Sequence, residues 1–195
     1  ALWGLVAIAV FAAGALLLGH LQEAARQGAS LPGAARLGGD FELVDHNGHA
    51  FSSQALKGKP HAIFFGFTPC PDICPTTLFE MTKHLDELGP KADTLKVLFV
   101  TVDPDRDTPG HLKTYLSAFD DRIVGLTGND KQVASAIKAY RFFAEKVPTS
   151  DGYYTMNHTA TVYLFEGKGT LASTLSWEED ENTRLAKLAR LAERG

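Results

Sequence analysis

The sequence predicts an α/β domain carried behind a membrane-spanning helix. Three observations predict it. Short, nearly continuous apolar runs alternate with stretches of helical period from His61 onward; the chain closes on a hairpin pattern and one last helix; and residues 1–19 hold no charged or strongly polar side chain. Alternation of strands and helices implies a sheet with at least one parallel pair. With 195 residues the chain can bury a real core in one domain and still carry an attachment.

The start, ALWGLVAIAVFAAGALLLG, rises about 1.5 Å per residue as a helix and so spans roughly the 30 Å hydrocarbon core of a bilayer. A signal peptide has a shorter apolar core, about 7–15 residues, and no small-x-small cleavage site with a polar start stands after Leu18. A helix buried in a globular core is the other reading of so apolar a stretch. Residues 1–20 are read as an uncleaved anchor that meets membrane lipid. Residues 21–39, polar, rich in Ala and Gly and ending in Gly-Gly, read as a tether, and residues 40–195 as the domain.

Within the domain, DFELVDHNGHAFSS alternates around a DHNG turn and predicts strand–turn–strand. HAIFFGF is short and apolar throughout, as a central strand covered on both faces must be. PTTLFEMTKHLDELG sets Leu78, Met81, Leu85 and Leu88 at helical spacing and stops at Gly89-Pro90. TLKVLFVTV is a second buried strand; TPGHLKTYLSAF is a helix opened by Thr108 and Pro109. RIVGLTG is a short strand, and NDKQVASAIKAYRFF a helix capped by Asn129 or Asp130. HTATVYLFEGKGTLASTL predicts a hairpin that begins at His158, and EEDENTRLAKLARLAER the final helix.

A net charge of −4 with interspersed signs leaves no basic stripe for nucleic acid. The chemistry gathers instead in FFGFTPCPDICPTTL, which holds both cysteines of the chain, Cys70 and Cys74. They lie where a central strand gives way to a helix, the usual place of a ligand site in α/β sheets. A spacing of four allows shared binding of a metal or a disulfide, and a helix N-terminus favours the reactive thiolate. Two thiolates suit Cu(I), zinc or an iron–sulfur cluster but seldom complete a site. His61 begins the strand that ends near the cysteines, roughly 20 Å away, and His84 is about 15 Å along the helix. His46, His49 and His111 read as solvated, and His20 lies at the membrane edge. His158, at the head of a strand that meets the cysteine edge if it runs antiparallel, is the best third ligand. The segment TVDPDRDTP reaches the same edge if its strand is parallel, which makes Asp103, Asp105, Arg106 and Asp107 candidates for hydrogen bonds to the site or to a partner; a plain turn and helix cap explains it equally well.

On three segments in this order, FGFTPCPDICPTTL, VTVDPDRDTP and NHTATVYL, the chain resembles the Sco/SenC family of membrane-anchored copper proteins over about residues 40–193. The resemblance implies a thioredoxin-like domain, one copper ion bound by Cys70, Cys74 and His158, and Asp72, Asp103 and Asn157 as residues beside those ligands. Asn157 departs from the family's usual Asp before the histidine. The implied role is delivery of copper to, or thiol reduction of, the binuclear copper site in the copper-site subunit of cytochrome c oxidase, with a chaperone as the first expectation and a thiol–disulfide reductase as the second. Another periplasmic copper chaperone or a thiol reductant is a further implied partner. The expected location is a bacterial cytoplasmic membrane, with the domain facing the periplasm or the exterior. Two alternatives share parts of the pattern. A thiol–disulfide oxidoreductase that keeps the oxidase cysteines reduced needs only Cys70 and Cys74, but thioredoxin-type enzymes use CxxC and a proline where this chain has His158-Thr159. A peroxiredoxin-type peroxidase would carry Thr three residues before its reactive cysteine, where this chain has Phe67 or Pro71.

Overall fold

β3 (His61–Gly66) lies at the centre of the molecule, with all six residues buried. The computed structural model describes residues 37–176 and 178–194. The predicted anchor and the tether up to Arg36 lie outside the described residues. Among the described residues no helix is long and apolar enough to cross a membrane.

β3 pairs in parallel with β4 (Lys96–Thr101), from His61 opposite Lys96 to Gly66 opposite Thr101. β5 (Ile123–Thr127) continues the parallel set beside β4. Antiparallel strands close both flanks. β1 (Glu42–Asp45) lies on β5 with β2 (Ala50–Ser52) outside it, and β8 (Val162–Phe165) lies on β3 with β9 (Leu171–Leu175) outside it. The order is therefore β2-β1-β5-β4-β3-β8-β9. The β1–β2 turn forms as predicted, because the Asp45 carboxylate accepts the amides of Asn47 and His49 and Gly48 takes a positive φ of 88°.

Helices α1 (Ile73–Leu88), α2 (Pro109–Leu116), α3 (Asp130–Ala139) and α4 (Glu181–Ala192) fill the connections and the C-terminus. The last three start on side-chain caps: Thr108 accepts the His111 amide ahead of Pro109, Asn129 and Gln132 make a capping box, and Asp180 accepts the Thr183 amide. Alternation along β3 divides its side chains between two layers. Phe64 and Gly66 face Phe99, Tyr115 of α2 and Cys74 of α1. Phe65 faces the other way, onto Tyr140 and Phe142 just past α3. The chain is tied to this domain before Asp40, since Gly38 donates its amide to the Ala139 carbonyl at 3.0 Å.

Two expectations need correction. α3 ends at Ala139, not in YRFF; Arg141 takes a positive φ of 52°, and Phe142 turns into the core, where burial outweighs further helix. His158 does not open β8. It ends β7 (Tyr154–His158), which pairs with β6 (Ala144–Pro148) in a separate two-stranded sheet, and β8 starts only at Val162. The turn that makes this hairpin is Asp151-Gly152, with Gly152 at φ 83° and its amide on the Thr149 carbonyl.

Candidate metal centre

Between the end of β3 and the start of α1 the chain makes a tight reversal, with the Cys70 amide on the Phe67 carbonyl at 3.3 Å. Cys70 therefore stands before the helix and Cys74 in its first turn. Asp72, the N-cap, makes no side-chain capping bond; the Cys74 amide points instead at Cys70 Sγ, 3.4 Å away. A sulfur thus occupies the position where an N-cap oxygen normally sits. Gly66 makes room for the pair, because a Cβ there would lie 2.8 Å from Cys74 Sγ and 2.7 Å from the Phe99 ring.

His158 reaches the same point from β7. Its Nδ1 lies 2.8 Å from the Thr159 carbonyl, which can only accept, so Nδ1 carries the ring proton and Nε2 presents its lone pair. That lone pair points at Cys74 Sγ, 3.6 Å away. Phe67 meets the imidazole edge-on at 5.6 Å and Phe64 at 6.4 Å, holding the ring from two sides. The donor atoms of Cys70, Cys74 and His158 all lie within 4.8 Å of one another. Sulfur and nitrogen donors about 2.0–2.3 Å from a common ion are themselves roughly 3.5–4 Å apart, so small adjustments would let one ion touch all three. Among the described residues no other cluster of three such side chains stands close enough to hold a metal.

The two thiols are electrostatically distinct. The Cys74 thiol donates to Cys70, and the amides of Asp72 and Cys74 add to it, so the Cys70 pKa falls to about 5 despite the opposing effect of burial. Cys74 keeps its proton: donation to Cys70 and burial push its pKa up. The pair is best described as one thiolate and one thiol that share a proton.

Beside the ligands, the loop after β4 is more ordered than a simple turn. Asp107, fully buried, accepts the amide and hydroxyl of Thr68, the latter at 2.6 Å, and the hydroxyl of Thr101 at 2.6 Å. Its burial raises its pKa. Asp103, 1% exposed, pairs with Arg106 and accepts the Tyr154 hydroxyl at 2.9 Å. Asp105 is at the surface, bonded to Lys146 at 2.8 Å. The Asp72 and Asn157 side chains are exposed, and Asp72 serves Cys70 through its backbone amide. His61 is buried at the opposite end of β3, and His84 is buried in α1. His46, read from the sequence as solvated, is half-buried, and its Nδ1 accepts the Gly125 amide at 2.9 Å. Sequence reasoning missed Gly66, Thr68 and Tyr154. The Asp-Gly pair at 151–152 was the available signal for the hairpin that carries Tyr154.

Comparison with known proteins agrees with this geometry. The SCO1/SenC family model matches residues 29–193. An SCO2-like protein of Rickettsia conorii is 42% identical over 136 residues, covering 69% of this chain and 66% of the relative. The mitochondrial protein SCO2 of Saccharomyces cerevisiae is 41% identical over 162 residues, 80% of this chain and 53% of that protein. This chain thus matches between half and two thirds of the length of these relatives. The structure of Bradyrhizobium japonicum ScoI with copper bound superposes with a TM-score of 0.74 at 46% identity, covering 80% of this chain and 99% of that one.

Proposed function

The chain belongs to the SCO1/SenC family, and on that premise we propose that it binds one copper ion through Cys70, Cys74 and His158 and serves assembly of the binuclear copper site of cytochrome c oxidase. The observation that carries this reading is His158 Nε2, 3.6 Å from Cys74 Sγ and within 4.8 Å of both sulfurs. Two thiolates and an imidazole are soft and borderline donors that favour copper over hard cations. Copper here is cargo: three protein donors hold it, and the half-exposed histidine side leaves room for a ligand of the acceptor. The copper bound to the ScoI relative supports the same assignment. The proposed acceptor is the copper-site subunit of the oxidase, with another periplasmic copper chaperone or a thiol reductant acting on the same pair of cysteines. The apolar residues 1–19 support an anchor in the cytoplasmic membrane, and the copper-handling role assigns the domain to its outer face.

Copper titration of the reduced protein, read by competition with a chromophoric chelator, tests this function. One equivalent should bind, none should bind tightly once Cys70 and Cys74 are joined, and His158→Ala should weaken binding by more than the about 10–100-fold typical of losing a partner outside the ligand set. Equal binding by the disulfide form would sink the reading. A second reading, reduction of disulfides in the oxidase, is favoured by the low pKa of Cys70, about 5, beside a proton-bearing Cys74. The two readings part on His158→Ala in cells: copper delivery requires His158 for oxidase assembly, whereas thiol exchange requires only the cysteines.

A further inference from the structure

The ligands come from two separate pieces of structure. Cys70 and Cys74 stand at the end of the seven-stranded sheet, whereas His158 ends a hairpin that shares no ladder with it. Residues 102–107 touch both pieces. On the cysteine side, the Val102 amide bonds the Gly66 carbonyl at 2.8 Å, and Asp107 holds Thr68, two residues before Cys70. On the histidine side, Arg106 donates to the Tyr154 carbonyl at 3.0 Å while its guanidinium lies 3.9 Å from the centre of the Tyr154 ring. Asp103 completes the grip, binding Arg106 with one oxygen and the Tyr154 hydroxyl with the other. Lys146, on β6, approaches the same ring at 4.2 Å. Tyr154 and His158 are four residues apart on one strand, so both side chains leave the same face of the hairpin. What holds the ring of Tyr154 therefore also sets the position of His158.

We propose that Arg106 is a positioning residue for the metal centre, fastening the His158 hairpin through Tyr154 at the distance from the cysteines that three-donor copper binding requires. Arg106 offers no donor to the ion; it acts through His158, by way of Tyr154 and of Phe67, whose ring lies 5.7 Å from the guanidinium and edge-on to the imidazole. The inference rests on the three-ligand reading above and is separable from it.

The test is a double-mutant cycle of Arg106→Ala and His158→Ala in the full chain, with Cu(I) affinity measured by chelator competition. The spectrum of the Cu(II) form is recorded in parallel. Arg106→Ala should weaken copper about 10–100-fold, as loss of an orienting partner does. Its bound copper should keep the spectrum of the three-donor site, because the loss is smaller than that of His158→Ala, and the substitution should cost nothing further once His158 is absent. The rate at which the apo dithiol reacts with an aromatic disulfide should not move. Retention of full affinity by folded Arg106→Ala, or an equal loss with and without His158, overturns the positioning role. Should Arg106→Ala fail to fold, Arg106→Lys, which keeps a positive charge beside Asp103 but loses the planar fork that bonds the Tyr154 carbonyl and lies on the Tyr154 ring, is put through the same cycle with the same criteria. Wild-type binding by His158→Ala would overturn the ligand assignment itself, and the positioning role with it.

Discussion

Cys70 and Cys74 differ in what they must give up to hold a metal. Cys70, with a pKa of about 5, is already a thiolate at neutral pH, while Cys74 keeps its proton. Metal binding needs both deprotonated. Between pH 7 and 8, copper binding should therefore release one proton, and log K should rise with pH at a slope near one. Calorimetry in buffers of different ionisation enthalpy measures it; two protons per ion would mean that Cys70 also carries its proton before copper binds. Gly66 acts at the same scale through space alone. With its Cβ position 2.8 Å from Cys74 Sγ and 2.7 Å from the Phe99 ring, Gly66→Ala forces a buried neighbour to move. The cost should be about 1–3 kcal/mol in denaturant unfolding, together with weaker copper binding, because the displaced neighbour is a ligand.

At the scale of elements, α1 is fastened to the start of β5 by a small charged clamp. The Asp120 carboxylate accepts Arg122 Nε at 2.8 Å and Nη2 at 2.5 Å, its amide bonds Thr82 of α1, and Arg122 reaches the Gly89 carbonyl at the end of that helix. The bond from Arg122 depresses the Asp120 pKa below its ordinary 3.8. A depressed carboxylate contributes stability above that ordinary value and loses it as pH falls through the folded value. Asp120→Asn should thus cost about 1–2 kcal/mol at pH 7, and the gap to wild type should close only below pH 4; a gap unchanged at pH 3 would show that the charge is not responsible. Elements of this kind were legible where local chemistry decides them. Apolar runs marked β3 and β4, and capping residues marked α2 and α3. The hairpin β6–β7 was not, because AEKVP and YTMNH bury little and alternate weakly, so the Asp-Gly turn was the main sign of it. The sequence pattern puts His158 at the head of β8, yet it ends β7. It still meets the cysteines because the short link Thr159–Thr161 leads straight into the strand beside β3. Arg106 and Tyr154 lie 48 residues apart in sequence, and no periodicity reports a contact over that distance.

Across the whole molecule, the carboxyl ends of β3 and β4 collect the cysteine loop and the 102–107 loop at one edge, where ligands gather in open α/β sheets. Both loops and the hairpin lie within the unit Leu37–Gly195. Removing residues 1–30 should leave a soluble chain with undiminished copper affinity, measured by the same chelator competition. Aggregation of that fragment would place Ala1–Gly19 in the core instead of a bilayer.

The separation of Cys74 from His158, 84 residues along the chain, has a consequence in polymer terms. An unfolded chain can still offer Cys70 and Cys74, four residues apart, as a chelating pair, but recruiting His158 would mean closing a loop whose entropy costs roughly 4 kcal/mol. The imidazole is therefore the donor by which an ion tells the native state from the denatured one. Ligands stabilise a fold only by preferring it. Copper should raise the melting temperature of the wild-type chain by several degrees. Most of that rise should vanish in His158→Ala even at copper concentrations that saturate its two sulfurs. Scanning calorimetry at saturating Cu(I) measures it, and an undiminished shift would mean that the dithiol pair alone separates the two states.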